Sequence, residues 1–148
     1  MGFKPTEEIL VKATYELTEN TNFKVNKIHV AANGERLVSK QELQIYNRLL
    51  EEPDFHIIYE SPYKGKDKTL FPDFLVTNKK TRETYVWEHL GMTNNEHYLN
   101  AIPNKLVWFR EQGLLSTEEG GNLILTFYRE KRFFKDVERS IKLIKGLL

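Results

Sequence analysis

Two short apolar stretches, FPDFLV (Phe71 to Val76) and YVWEHLG (Tyr85 to Gly91), each carry one carboxylate in their middle, Asp73 and Glu88. No other feature limits the possible folds as sharply. Strand side chains alternate between faces, so Asp73 is predicted to share a face with Phe71 and Leu75, and Glu88 with Val86 and Leu90. The six polar residues at 78–83 suit a hairpin that makes the two strands neighbours. Two carboxylates on one low-dielectric face repel each other and are costly to desolvate. A bound divalent cation removes both problems. The pattern therefore favours a site of hard oxygen ligands, for Mg²⁺ or Mn²⁺. The competing account is that the strand ends reach solvent and both acids are ordinary surface groups.

The remaining chain supplies a sheet and its cover. A helical period runs through TEEILVKATYEL, with Thr6 as its cap. FKVNKIHVAA alternates as a strand does, and NGE at 33–35 is a turn. In SKQELQIYNRLLEE, Ser39 is the N-cap and Glu42 its capping-box partner, with Ile45, Leu49 and Leu50 as the buried face. FHIIYE and TLFPDFLVT read as strands joined by a Lys-rich loop, and NKKTRE turns into TYVWEHL. A helix is predicted from about Asn94 to Gln112, stopped by Gly113 and kinked or split by Pro103. NLILTFY is a strand, and FFKDVERSIKLIKGLL a closing amphipathic helix with Phe133, Val137, Ile141 and Ile144 buried. The expected order, α-β-α-β-β-β-α-β-α, means an α/β fold, a mixed sheet flanked by helices.

Composition sets the outer bounds. A chain of 148 residues suits one domain with one core. There is no Cys, so neither disulfides nor thiolate metal sites arise. The first residues lack the layout of a signal peptide and no apolar run is long enough to span a bilayer, so a cytoplasmic location is expected. A formal net charge of +1 does not advertise nucleic-acid binding, which would need a local basic patch. One such patch lies at 129–148, with seven basic residues against three acids. There Lys135, Arg139 and Lys142 share the outer side of the closing helix, as a solvated face or a DNA-facing one. The KGKDK loop at 64–68 and KKTR at 79–82 are solvated turns or phosphate contacts.

A third acid joins the pair. Glu42, in the first turn of its helix, lies on the apolar side at the mouth of the core and could act with Asp73 and Glu88. With Pro72-Asp73, a Glu-bearing strand 15 residues later and a Glu-bearing helix upstream, the chain resembles the PD-(D/E)XK nuclease superfamily. It is most similar to a branch found as the nuclease domain of some bacterial helicase-like proteins. The matching pieces are LVSKQELQIYNRLL, FPDFLV, YVWEHLG, the stretch from Tyr98 through NKLVWFREQGL, and GGNLILTFY. They span about residues 37–128, whereas residues 1–35 carry no recognisable motif.

The resemblance implies a restriction-endonuclease-like fold: one domain over 1–148, with an N-terminal extension (1–35), a nuclease core (36–128) and the closing helix (129–148). It implies hydrolysis of DNA phosphodiester bonds with Mg²⁺ or Mn²⁺. Asp73 and Glu88 would be the principal ligands, with the backbone carbonyl of His89 completing the shell and Glu42 binding directly or through water. The superfamily's lysine, two residues after the second acid, is replaced by Leu90. His89 points to the opposite strand face and cannot substitute. Lys105, which falls near one helix face with Tyr98 and Trp108, is the expected migrated lysine; otherwise it is a solvated helix residue. Ser39, Lys40, Tyr98, Lys135, Arg139 and Lys142 are the expected nucleic-acid contacts. DNA is the expected partner, and a homodimer or a helicase fits the same resemblance, as do repair and defence against foreign DNA. A zinc site of His89, Glu96 and His97 matches no strong spacing. Trp87 and Tyr85 are predicted to be core under a covering helix. Two classes stay open: a metal-dependent DNA nuclease, and a nuclease-derived module that binds nucleic acid or a protein partner without cutting.

Overall fold

Asn33, Gly34 and Glu35 form the predicted turn in the computed structural model, which describes residues 29–91 and 95–148. Gly34 sits at φ 90°, the left-handed region that suits glycine. The turn joins β1 (His29–Val30) to β2 (Arg36–Leu37), an antiparallel pair. The helix expected over TEEILVKATYEL lies outside the described residues, as does most of the strand expected over FKVNKIHVAA. Helix α1 (Lys40–Leu50) follows, and the Ser39 side chain accepts from the Glu42 N–H at 3.0 Å, the cap read from the sequence. Ile45, Tyr46 and Leu49 are buried on it. Asn47 and Tyr46 tie the hairpin to the helix by accepting from the Ala32 N–H and the Asn33 amide.

The described residues fall into two compact units, one ending at Glu51 and the other running from Glu52 to Leu148. The second is a mixed α/β arrangement around a four-stranded sheet. Its strands are β3 (Phe55–Tyr59), β6 (Phe74–Asn78), β7 (Thr84–Leu90) and β8 (Leu123–Phe127), in that spatial order. The pairs β3–β6 and β6–β7 are antiparallel, and β7–β8 is parallel. A parallel pair needs a long crossover, and here it contains helix α2 (Glu96–Glu111). Helix α3 (Phe133–Ile144) closes the chain.

Alternation sorts the sheet into two faces. Leu75, Val86, Leu123 and Leu125 face α2 and pack with its Trp108 and Phe109. Phe74, Val76, Tyr85, Trp87 and Ile124 are buried on the other face. Helix α3 lies over that face: Phe133 meets the His89 ring edge-on at 5.4 Å, and the Asn78 amide donates to the Ile144 carbonyl. The stripe Phe133, Val137, Ile141 and Ile144 is buried as expected, and Trp87 and Tyr85 are core.

Two expectations need correction. TLFPDFLVT is not one strand. Thr69–Leu70 is a separate strand, β5, paired with β4 (Tyr63–Lys64) in a small hairpin inside the Lys-rich loop. The chain then leaves the ladder at Phe71, Pro72 and Asp73. Pro72 has no N–H to give a ladder, and Phe71 is 61% exposed. Nor does Pro103 split α2, which runs unbroken from Glu96 to Glu111. Pro103 and Leu99, the residue four before it whose carbonyl loses a helical partner, are both exposed, so the lost bond falls on the solvent side of the helix. Gly113, at φ 85°, ends the helix as read.

Candidate active site at the end of the central strands

Glu88 stands on the α2 face of β7, and its side chain is only 4% exposed. A carboxylate so placed is costly without a partner. The partner is Lys105, whose Nζ lies 2.9 Å from Glu88 Oε2 while its side chain stays 41% exposed. The lysine snorkels, burying its stem and keeping its head near water. Leu90, two residues along the same face, is buried. The strand itself supplies no cation beside Glu88, and the ammonium that meets it comes from the neighbouring helix.

Asp73 sits where the β6–β7 ladder ends. The last paired residues are Phe74 and Trp87, so the next step along the register sets Asp73 beside Glu88. Asp73 Oδ2 accepts from the His89 N–H at 2.7 Å, a charge-assisted bond that anchors the acid to the strand bearing Glu88. The same bond orients the His89 carbonyl. A strand residue points its N–H and C=O to the same edge. Val86 N–H and Leu90 C=O bond toward β8, to Asn122 and Tyr128. His89, out of phase with them, directs both groups toward Asp73. By register, two carboxylate-bearing residues, Asp73 and Glu88, and the His89 carbonyl are thus neighbours at the open end of β6 and β7. This hard-oxygen set fits Mg²⁺ or Mn²⁺, because Mg²⁺ typically takes one or two carboxylates and keeps its waters or substrate phosphate for the other positions. Among the described residues no group of three or more His, Cys, Asp or Glu side chains is arranged to hold a metal. The zinc trio is apart: the His89 ring is on the α3 face, and Glu96 and His97 are exposed at the start of α2.

The His89 ring is structural support. Trp87 Nε1 and His89 Nδ1 both lie 2.9 Å from Thr126 Oγ1 on β8. The indole can only donate, so the hydroxyl accepts from it, and the same oxygen shares a second hydrogen bond with His89 Nδ1. Burial pushes the imidazole down to about 4, so the ring is neutral at pH 7. The trio locks β7 to β8 directly behind Glu88. Sequence reasoning missed it, since Trp87 and Thr126 are 39 residues apart. Thr126→Val should strand two buried polar groups and cost about 1–3 kcal/mol, while Thr126→Ser should keep most of the stability. Urea unfolding of the two variants checks this.

The other expected residues spread more widely. Glu42 is buried in α1 and belongs to the first unit, with Ser39 half-buried and Lys40 exposed beside it. Tyr98 is half-buried in the first turn of α2, seven residues before Lys105 and so on its side of the helix. Lys135, Arg139 and Lys142 are exposed on α3, the helix over the opposite sheet face from Lys105. They do not form one surface with the Glu88–Lys105 pair. Among the described residues no helix is long and apolar enough to cross a membrane. No model of a known protein family matches the chain, and no characterised protein matches it in sequence.

Proposed function

We propose that the chain is a metal-dependent nuclease of the PD-(D/E)XK type, hydrolysing DNA phosphodiester bonds on a restriction-endonuclease-like sheet. One observation carries the reading. Lys105, from outside the sheet, reaches the buried acid Glu88 at 2.9 Å, in a strand whose usual lysine position holds Leu90. The Asp73–His89 bond supports it by holding the first acid at the strand that carries the second.

In this reading Asp73, Glu88 and the His89 carbonyl hold Mg²⁺ or Mn²⁺, which supplies a polarised phosphate and an activated water. The chain does the positioning. Glu88 would be a ligand of that metal, with Lys105 held beside it on α2. The ammonium, on α2 one turn before buried Trp108, would face the charge that builds on the phosphate, as a preorganised donor. Val86 and Leu90 flank Glu88 with apolar surface, which strengthens each of these charge contacts.

The same ion pair favours a second reading. Lys105 already neutralises Glu88, so the acid survives burial with no metal, as a binding module that has lost its chemistry would require. Incubation with single-stranded, duplex and branched DNA in Mg²⁺, Mn²⁺ or EDTA separates the two. Cleavage with metal and none in EDTA supports the nuclease. Binding with no cleavage under any condition supports the module.

A further inference from the structure

The two-residue tip of the β4–β5 hairpin, Lys66-Asp67, ought to be the loosest part of this unit. It is instead fastened to α2. Gly65 N–H donates to the Lys68 carbonyl across the tip. Trp108 Nε1 donates to Asp67 Oδ1 at 2.8 Å, and Gln112 Oε1 accepts from the Lys66 N–H at 2.9 Å. Gly65 lies so close to the Trp108 ring and the Gln112 amide that a Cβ there would collide with both. Lys68 Nζ stands 5.8 Å from the centre of the Trp108 ring, within cation–π range.

This fastening sorts the charges of the tip. KGKDK holds three lysines and one acid. Asp67 stays exposed but is engaged, its carboxyl held below its usual range first by the Trp108 bond. Lys64, Lys66 and Lys68 are exposed, and no carboxylate among the described residues forms an ion pair with Lys64 or Lys66. Three exposed cations are thereby presented on a fastened tip, whose one acid is hydrogen-bonded to Trp108. The tip is also aligned with the candidate site. Lys105, Trp108 and Gln112 stand at i, i+3 and i+7 on one side of α2, so the tip lies about 5–10 Å along the helix from Lys105. That is roughly two or three steps of a B-form strand.

We infer that the hairpin tip is a phosphate-binding element that holds a DNA strand beside Lys105 and Glu88. The inference rests on the nuclease reading for what happens to that strand, but the binding itself needs no cleavage. A solvated turn would not need its only acid hydrogen-bonded to a tryptophan 41 residues away, nor its backbone held by a glutamine 46 residues away.

Binding of a fluorescent DNA oligonucleotide, single-stranded and duplex, is measured in EDTA across a salt series. The Lys64→Ala/Lys66→Ala/Lys68→Ala variant should lower the slope of log K against log salt by up to about 2–3, near 0.9 per phosphate contact on duplex and 0.7 on single strand. Gln112→Ala keeps every lysine and frees the tip, and should weaken binding about threefold to tenfold, because a backbone segment must then be ordered on binding. The rival surface is α3: Lys135→Ala/Arg139→Ala/Lys142→Ala should take away less of the slope. A larger loss there, an unchanged slope in the hairpin variant, or no DNA binding by the wild type at low salt overturns the inference. Failure of the nuclease reading looks different: no cleavage in Mg²⁺ or Mn²⁺ while the hairpin variant still loses affinity. Circular dichroism of each variant shows that the fold is retained.

Discussion

Asp73→Asn and Glu88→Gln are each expected to reduce Mg²⁺-dependent cleavage below detection while leaving the fold intact. Both substitutions keep shape and an acceptor oxygen. The asparagine can still take the His89 N–H and the glutamine can still meet Lys105, so a loss of activity cannot be blamed on a loosened strand end. What disappears is negative charge, and with it the reason for a divalent cation to leave water. Metal binding offers a readout independent of cleavage. Mg²⁺ at one hundred times its dissociation constant should stabilise the wild type by about 2.7 kcal/mol, seen as a rise in melting temperature. The double variant should show no such rise. If titration calorimetry finds no divalent-metal binding to the wild type, with DNA or without, the assignment of Asp73 and Glu88 as ligands is wrong. Full cleavage by either single variant would be as damaging.

Much of this site was legible because local rules set it. The Ser39 cap, the Gly113 stop and the turn at 78–83 depend on neighbours a few residues apart, and each lies where the sequence puts it. The period-two pattern of YVWEHL was enough to set Glu88 against His89 on opposite faces. The misreadings lie where a longer-range term decides. FPDFLV looked like a continuous strand, but Pro72 withholds the donor a ladder needs, so Asp73 ends up at the strand's mouth, free to reach across to the His89 N–H. The pinned hairpin tip depends on Asp67 and Gln112 meeting residues 41 and 46 positions away, and no periodicity encodes such pairs. Pro103 made the phase of α2 hard to carry from Tyr98 to Trp108. Its solvent-facing side let the helix run through, and that continuity keeps Tyr98 and Lys105 on one side.

Lys105→Ala is expected to lower the cleavage rate by about 10²–10³, the scale of losing one preorganised charge stabiliser, with little change in DNA affinity. A lysine that only grips phosphate would do the reverse, weakening binding and lowering its salt dependence. The ion pair adds a further consequence. In metal-free buffer Lys105→Ala leaves Glu88 buried without its cation, so the variant should melt lower than wild type, whereas Glu88→Gln leaves only a half-exposed lysine, which can turn to water. Added Mg²⁺ should restore more stability to Lys105→Ala than to wild type, because there the metal no longer competes with an ammonium for the same carboxylate. The rescue is Leu90→Lys in the Lys105→Ala background. Leu90 shares the Glu88 face two residues on, so a lysine there can snorkel past Glu88 to the place the helix lysine held. Burial makes that substitution costly in stability, yet part of the rate should return. A rate that stays at the Lys105→Ala level, in a variant shown to be folded, means the two positions do not serve the same phosphate. An unchanged rate in Lys105→Ala itself would reduce Lys105 to a structural counter-ion and leave the chemistry to the metal alone.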